Sequence, residues 1–197
     1  MRGLAACLAA LLLMFAASAS GGEAVSVCYN YGCLSEDDVL YSDAQLRRVR
    51  DLLGDGLGAV HERALLGVAV GWMLGWAGQQ TPISADRGGN FADNGVYGRM
   101  DCIDHSTTTT RLLQLIERRG WLRFHRVLAP ALRTHVFIFD HYSAQIEEVE
   151  NAEKSVPADE KPGRYVVDSW FVDNGQPAVV MPLENWLAGE GPDVEHE

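Results

Sequence analysis

One mid-chain cysteine, Cys102, is followed by His125, His135 and His141 and then by Asp168. These residue types suit nucleophilic catalysis. A thiolate attacks, a histidine holds and relays its proton, and a third group orients the histidine. Cys102 lies in RMDCIDHSTTTTRLLQLIERRG. There Ile103, Leu112, Leu113, Leu115 and Ile116 fall at helical spacing and Gly120 supplies a stop. Asp101 is a good N-cap, so Cys102 is expected in the first turn. At that end, unpaired N–H groups and the positive pole of the helix favour thiolate. Asp101 and Asp104 act in the opposite sense, because negative neighbours raise a thiol pKa. A helix-opening cysteine facing a sheet that presents His and Asp from adjacent strands would bring nucleophile, base and orienting group together.

An oxyanion needs donors aimed at the developing charge. The Cys102 backbone N–H is the natural first donor. Asn90, Asn94, Gln79 and Gln80 are candidates for a second, set against ordinary loop hydrogen bonding. Trp170, in SWFVDNG, is a candidate to line the cleft or to shield Asp168 from water. Asp101, Cys102, Asp104 and His105 also form a dense set of metal-ligand types. Adjacent helical residues diverge, so that set needs His135 or His141 from elsewhere to converge on an ion. We expect no cofactor and no metal, and keep metal binding as an alternative.

The elements that must position these groups are legible in outline. Asp43 to Leu53 reads as an amphipathic helix with Ser42 as its cap. Ala59 to Gly78 reads as a second helix whose uncharged stretch is buried on most sides. Its Gly67, Gly71 and Gly75 share a face that packs closely on a neighbour. Residues 79–98 are loop by composition. After Gly120 the period changes. Trp121–Leu128, His135–Phe139, Tyr142–Val149 and Arg164–Val172 read as strands, and Asn151–Gly163 as a polar hairpin loop. Helices first and strands second predict an α+β fold, N-terminal helices packed on an antiparallel sheet.

The chain has 197 residues, net charge −11, 47% hydrophobic and 22% charged residues. That length fits one domain with a real core. The acidic balance argues against a nucleic-acid binder. Residues 1–19 fit a cleavable signal peptide: Arg2 is the only charge, an apolar run spans Leu4 to Ala17, and Ala17-Ser18-Ala19 offers a small-x-small site. The rivals are a lipobox at Cys7 and an uncleaved anchor. Cleavage gives a mature charge of 15 − 27 = −12, a domain over 20–189 and an acidic tail over 190–197. It also leaves Cys28, Cys33 and Cys102. In an oxidising compartment, periplasmic or extracellular, Cys28 and Cys33 of CYNYGC are expected to form a small loop disulfide. Cys102 is then the odd thiol.

The segment CIDHSTTTTRLLQLIERRGWLRFHRV resembles the core of transglutaminase-like cysteine proteins, of the papain-like superfamily. Cys-x-Asp opens a helix, then come a Leu-rich turn, Arg-x-Gly and a short strand. HYSAQIEEV and YVVDSWF stand where that family has its His and Asp strands, and the likeness covers about residues 98–172. The resemblance implies Cys102 as nucleophile, His141 as base and Asp168 as the orienting residue. The family's usual His-Ala-Trp reads His141-Tyr142-Ser143 here, and His135 is a competing base. The implied activity is thiol-dependent acyl transfer on a peptide or protein, with peptidase or amidase chemistry ahead of cross-linking. The alternative on the same fold is a catalytically silent peptide-binding or assembly module with a protein partner. No membrane span is expected in the mature chain.

Overall fold

The computed structural model describes residues 21–90, 92–135, 139–149 and 163–192. The expected signal peptide, most of the 151–163 loop and the end of the acidic tail lie outside these residues. A hairpin comes first, strand β1 (Glu23–Tyr29) and strand β2 (Ser35–Tyr41). Helices α1 (Asp43–Gly54) and α2 (Ala59–Gly78) follow, then a short 3₁₀ turn (Pro82–Ala85) and helix α3 (Cys102–Arg118). Strands β3 (His125–His135), β4 (Phe139–Glu148), β5 (Arg164–Asp168) and β6 (Val179–Pro182) complete the order with helix α4 (Leu183–Leu187). The last four strands form one antiparallel sheet in chain order. The α+β class and the helices packed on an antiparallel sheet are as expected. The β1–β2 hairpin, β6 and α4 are additions.

Local chemistry explains the helices. Ser42 Oγ accepts the Gln45 N–H, and Gln45 Oε1 accepts the Ser42 N–H, so α1 starts in a reciprocal capping box. Leu46, Val49 and Leu53 then bury one face of α1. The neighbour of the α2 glycine stripe is the turn and loop running into β6. Ala178 donates its N–H to Gly67 O at 3.0 Å. A Cβ on Gly67 would stand 2.6 Å from Ala178 O, and one on Gly71 would stand 2.5 Å from Gln176 O. The stripe is thus a slot for residues 174–178, the segment that joins Asp168 to α4.

The expected strand Trp121–Leu128 starts only at His125 and runs on as β3 to His135, while the expected strand His135–Phe139 has its two ends in β3 and β4 and its middle outside the described residues. The β3–β4 register shifts between Leu128 and Ala131. The shift absorbs one extra residue at Ala129-Pro130, a bulge on an edge strand, where proline's missing N–H costs no ladder bond.

Alternation along β4 and β5 separates two cores. Ala144, Ile146 and Val167 join the main cluster with α2, α3 and the hairpin. On the other face Val166 joins Ala131, Trp170, Phe171 and Trp186 in a smaller cluster. His141 shares this second face, because it lies two residues from Ser143, which pairs with Ala131.

Gly71→Ala should destabilise the chain by about 1–3 kcal/mol, since the gain in helix propensity is smaller than the cost of pushing back the Gln176 carbonyl. A Cβ at Gly54 meets nothing within 4 Å, so Gly54→Ala should leave the urea midpoint unchanged or raise it. Urea unfolding of the two variants checks both expectations.

Candidate active site

Helix α3 starts at Cys102, with Asp101 as its cap. Asp101 Oδ1 accepts the Asp104 N–H at 2.9 Å, and Asp104 Oδ2 accepts the Asp101 N–H at 3.1 Å. The same carboxylates reach into the β1–β2 loop. Asp104 takes the N–H of Tyr31 at 2.8 Å and of Cys33 at 2.6 Å, while Asp101 takes that of Gly32 at 2.9 Å. Asn30, Tyr31, Gly32 and Cys33 all have φ between +55° and +67°. Such a left-handed turn costs roughly 1–2 kcal/mol for each non-glycine residue. The carboxylate bonds and the Cys28–Cys33 disulfide hold it. That disulfide is compatible with an exported protein, and among the described residues no helix is long and apolar enough to cross a membrane. Asp104 is fully buried. Burial pushes its carboxyl up to about 6, with the Asp101 charge adding to the rise and the backbone donors opposing it.

His141 and Asp168 are brought together by the sheet. The β4–β5 ladder begins at Ala144 opposite Val167, so β5 leaves β4 just as Asp168 comes level with the His141 end. His141 Nε2 and Asp168 Oδ2 are 2.8 Å apart, and both side chains are buried. Asp168 Oδ1 accepts the Trp170 N–H at 3.1 Å. Asp168 Oδ2 accepts a second donor, the Trp186 indole N–H, at 3.0 Å. The rings of Trp170, Trp186 and Phe171 stand 4.9, 5.5 and 5.7 Å from the imidazole. Trp170 thus covers the His–Asp pair. The His141 Nδ1 atom is buried and makes no hydrogen bond.

Cys102 meets the backbone on either side of this histidine. Its thiol donates to Asp140 O at 3.7 Å, and the Tyr142 N–H faces the sulfur. It packs, half-buried, against the Trp170–Phe171–Trp186 cluster. Burial pushes the Cys102 thiol up. The N–H groups of Tyr142 and of Cys102 itself pull it down, and the charges of Asp101 and Asp168 add to the rise. Desolvation therefore outweighs the helix terminus here. No hydrogen bond joins Sγ to Nδ1.

The other sequence candidates have separate duties. Gln80 bridges to Leu40, accepting its N–H at 3.0 Å and donating to its carbonyl at 3.1 Å. Asn90 donates to Asp93 and accepts from Ala92. Gln79 and Asn94 are exposed. His135 ends β3 opposite Phe139 in the backbone register, its side chain outside the described residues. His125 is fully enclosed and bonds Glu62 Oε1 at 2.8 Å.

The metal-type set at α3 does not converge. Asp104 is spent on backbone donors, and both nitrogens of His105 are taken. His105 Nδ1 meets Ser169 Oγ at 2.9 Å, and Nε2 meets Asp86 Oδ2 at 3.0 Å. This Ser–His–Asp series has hydrolase-like spacing, but no member is more than 3% exposed. Ser169 also bonds Thr109, so the series ties α3 to the Asp168 turn rather than meeting a substrate. Trp186, eighteen residues beyond Asp168 on a five-residue helix, is the site residue with no sequence signal.

Comparison with protein-family models, curated proteins and solved structures gave no match.

Asp104 has a sign that urea titration can read. An unfolded Asp ionises near 3.9, whereas folded Asp104 ionises at about 6. The native state holds the extra proton between these values. This group therefore contributes stability on the acid side that is lost as pH rises through 6. The stability gap between wild type and Asp104→Asn should be larger at pH 4.5 than at pH 7.5.

Proposed function

We propose that the chain is a thiol-dependent acyl-transfer enzyme of transglutaminase-like, papain-type architecture, acting on amide bonds of a peptide or protein. The observation that carries this reading is the polarity of His141. Its Nε2 is committed to Asp168 and its buried Nδ1 is left bare, beside backbone that the Cys102 thiol already touches. A buried acceptor without a donor is costly in a merely structural histidine, and useful in a base.

On this reading the Sγ proton moves to His141 Nδ1 as sulfur attacks the carbonyl carbon. Nε2 keeps its proton and donates it in a hydrogen bond to Asp168, which stabilises the imidazolium without itself being protonated. The C–S bond forms, and the tetrahedral oxyanion faces the N–H at the start of α3. Collapse breaks the C–N bond, and the leaving amine takes the proton from Nδ1. Water, deprotonated by the same nitrogen, then attacks the thioester. The acid leaves and the thiol is restored. Because burial raises the thiol, the ion pair is formed on substrate arrival rather than stored at rest.

One observation favours a second reading. The thiol donates to Asp140 O and not to Nδ1, as suits a silent module that holds a peptide. Alkylation separates the two. With Cys28–Cys33 kept oxidised, iodoacetamide should modify wild-type Cys102 at pH 7 by attack assisted by His141 as base, although burial keeps the resting thiol protonated. In His141→Ala the rate at pH 7 should fall about tenfold or more and recover only at alkaline pH. Coincident profiles in the two proteins would leave the binding module.

A further inference from the structure

The reading of Cys102, His141 and Asp168 as an acyl-transfer site leaves the role of α4 open, and the geometry there is specific. Asp168 Oδ2 takes two donors, His141 Nε2 at 2.8 Å and Trp186 Nε1 at 3.0 Å. Trp186 is fully buried. Its ring is tilted 39° to the imidazole at 5.5 Å, so it touches both members of the pair. Trp186 is also fastened from outside. The Arg133 guanidinium lies 4.6 Å from its ring centroid and donates to the carbonyls of Trp186 and Glu190. Arg133 pairs directly with His141 across β3 and β4. One arginine thus links the histidine strand to the helix that carries the indole.

We propose that Trp186 is a positioning residue of this site, acting on His141 through Asp168. The indole N–H has one polar partner and a fixed direction. By occupying Oδ2 it holds the carboxylate in the rotamer that receives Nε2, which fixes the tautomer and leaves Nδ1 bare. It also draws charge from Asp168, so the carboxylate favours the imidazolium less than it would alone. Other ionisable groups that bear on Asp168 are Arg133 from β3 and Cys102 at the start of α3. The proposal rests on the acyl-transfer reading for its purpose, but not for its test.

The test is nitrogen NMR of the histidine rings, with His141 assigned by its loss in His141→Ala. In the wild type, His141 should be the Nε2–H tautomer. The Trp186 indole proton should shift with the His141 titration step, because both share Oδ2. In Trp186→Phe, which keeps an aromatic body and removes the N–H, the His141 pKa should rise by about one unit. The pH profile of Cys102 alkylation should move with it. An unchanged His141 pKa in a folded Trp186→Phe protein overturns the proposal. Should that variant not fold, the wild-type indole signal decides: a proton that ignores the His141 step overturns it, and one that follows supports it. A His141 shift without any His141 dependence of Cys102 alkylation upholds the positioning role and sinks the acyl-transfer reading.

Discussion

The Asp168 carboxylate is the point on which the second half of the chain depends. It is 2% exposed, in an aromatic surround, yet receives the Trp170 N–H, the Trp186 indole and His141 Nε2. A buried carboxylate without such donors would cost several kcal/mol. Satisfying it requires the turn after β5, the short helix α4 and the end of β4 to arrive together. The slot along α2 guides this arrangement, because Gly67 and Gly71 let residues 174–178 lie against the helix backbone on the way to β6. The glycine stripe and the acid–imidazole pair are therefore parts of one construction.

The start of α3 is built on a similar economy. Asp101 and Asp104 cap their own helix and also hold the left-handed turn of the first hairpin loop. A turn of that hand is unfavourable in isolation, so it stands only where external acceptors and a covalent link over-determine it. The disulfide is consequently connected to the helix that carries Cys102 by hydrogen bonds, not merely by proximity in the chain.

Two buried histidines, each paired with a carboxylate, differ in what their second nitrogen meets. His105 has a serine and an aspartate at hydrogen-bonding distance, but both nitrogens are occupied and the group is sealed. His141 has one nitrogen occupied, one bare, and a half-buried thiol at the adjacent backbone. Burial stabilises the first arrangement as a clasp. The second leaves a buried nitrogen without a partner, a hydrogen-bonding cost that the first does not carry.

Local chemistry made α1, α2 and α3 legible in the sequence, together with the Asp101 cap and the strand character after Gly120. Caps and periodicities act over a few residues, so they can be read without knowing the fold. The same holds for the Cys28–Cys33 pair. The β1–β2 hairpin was hidden because SEDDVLY is acidic and its loop runs left-handed, against ordinary turn signatures. The single β3 strand was hidden by Pro130, which edge position alone makes tolerable. The order Cys102, His141, Asp168 was legible as an order, but their distances were not. Those depend on where β5 leaves β4, on a bulge that shifts register by one residue, and on Trp186 arriving from a separate helix. Each is a long-range contact, and a long-range contact is decided by which buried groups can be satisfied together, a condition that only the tertiary structure evaluates.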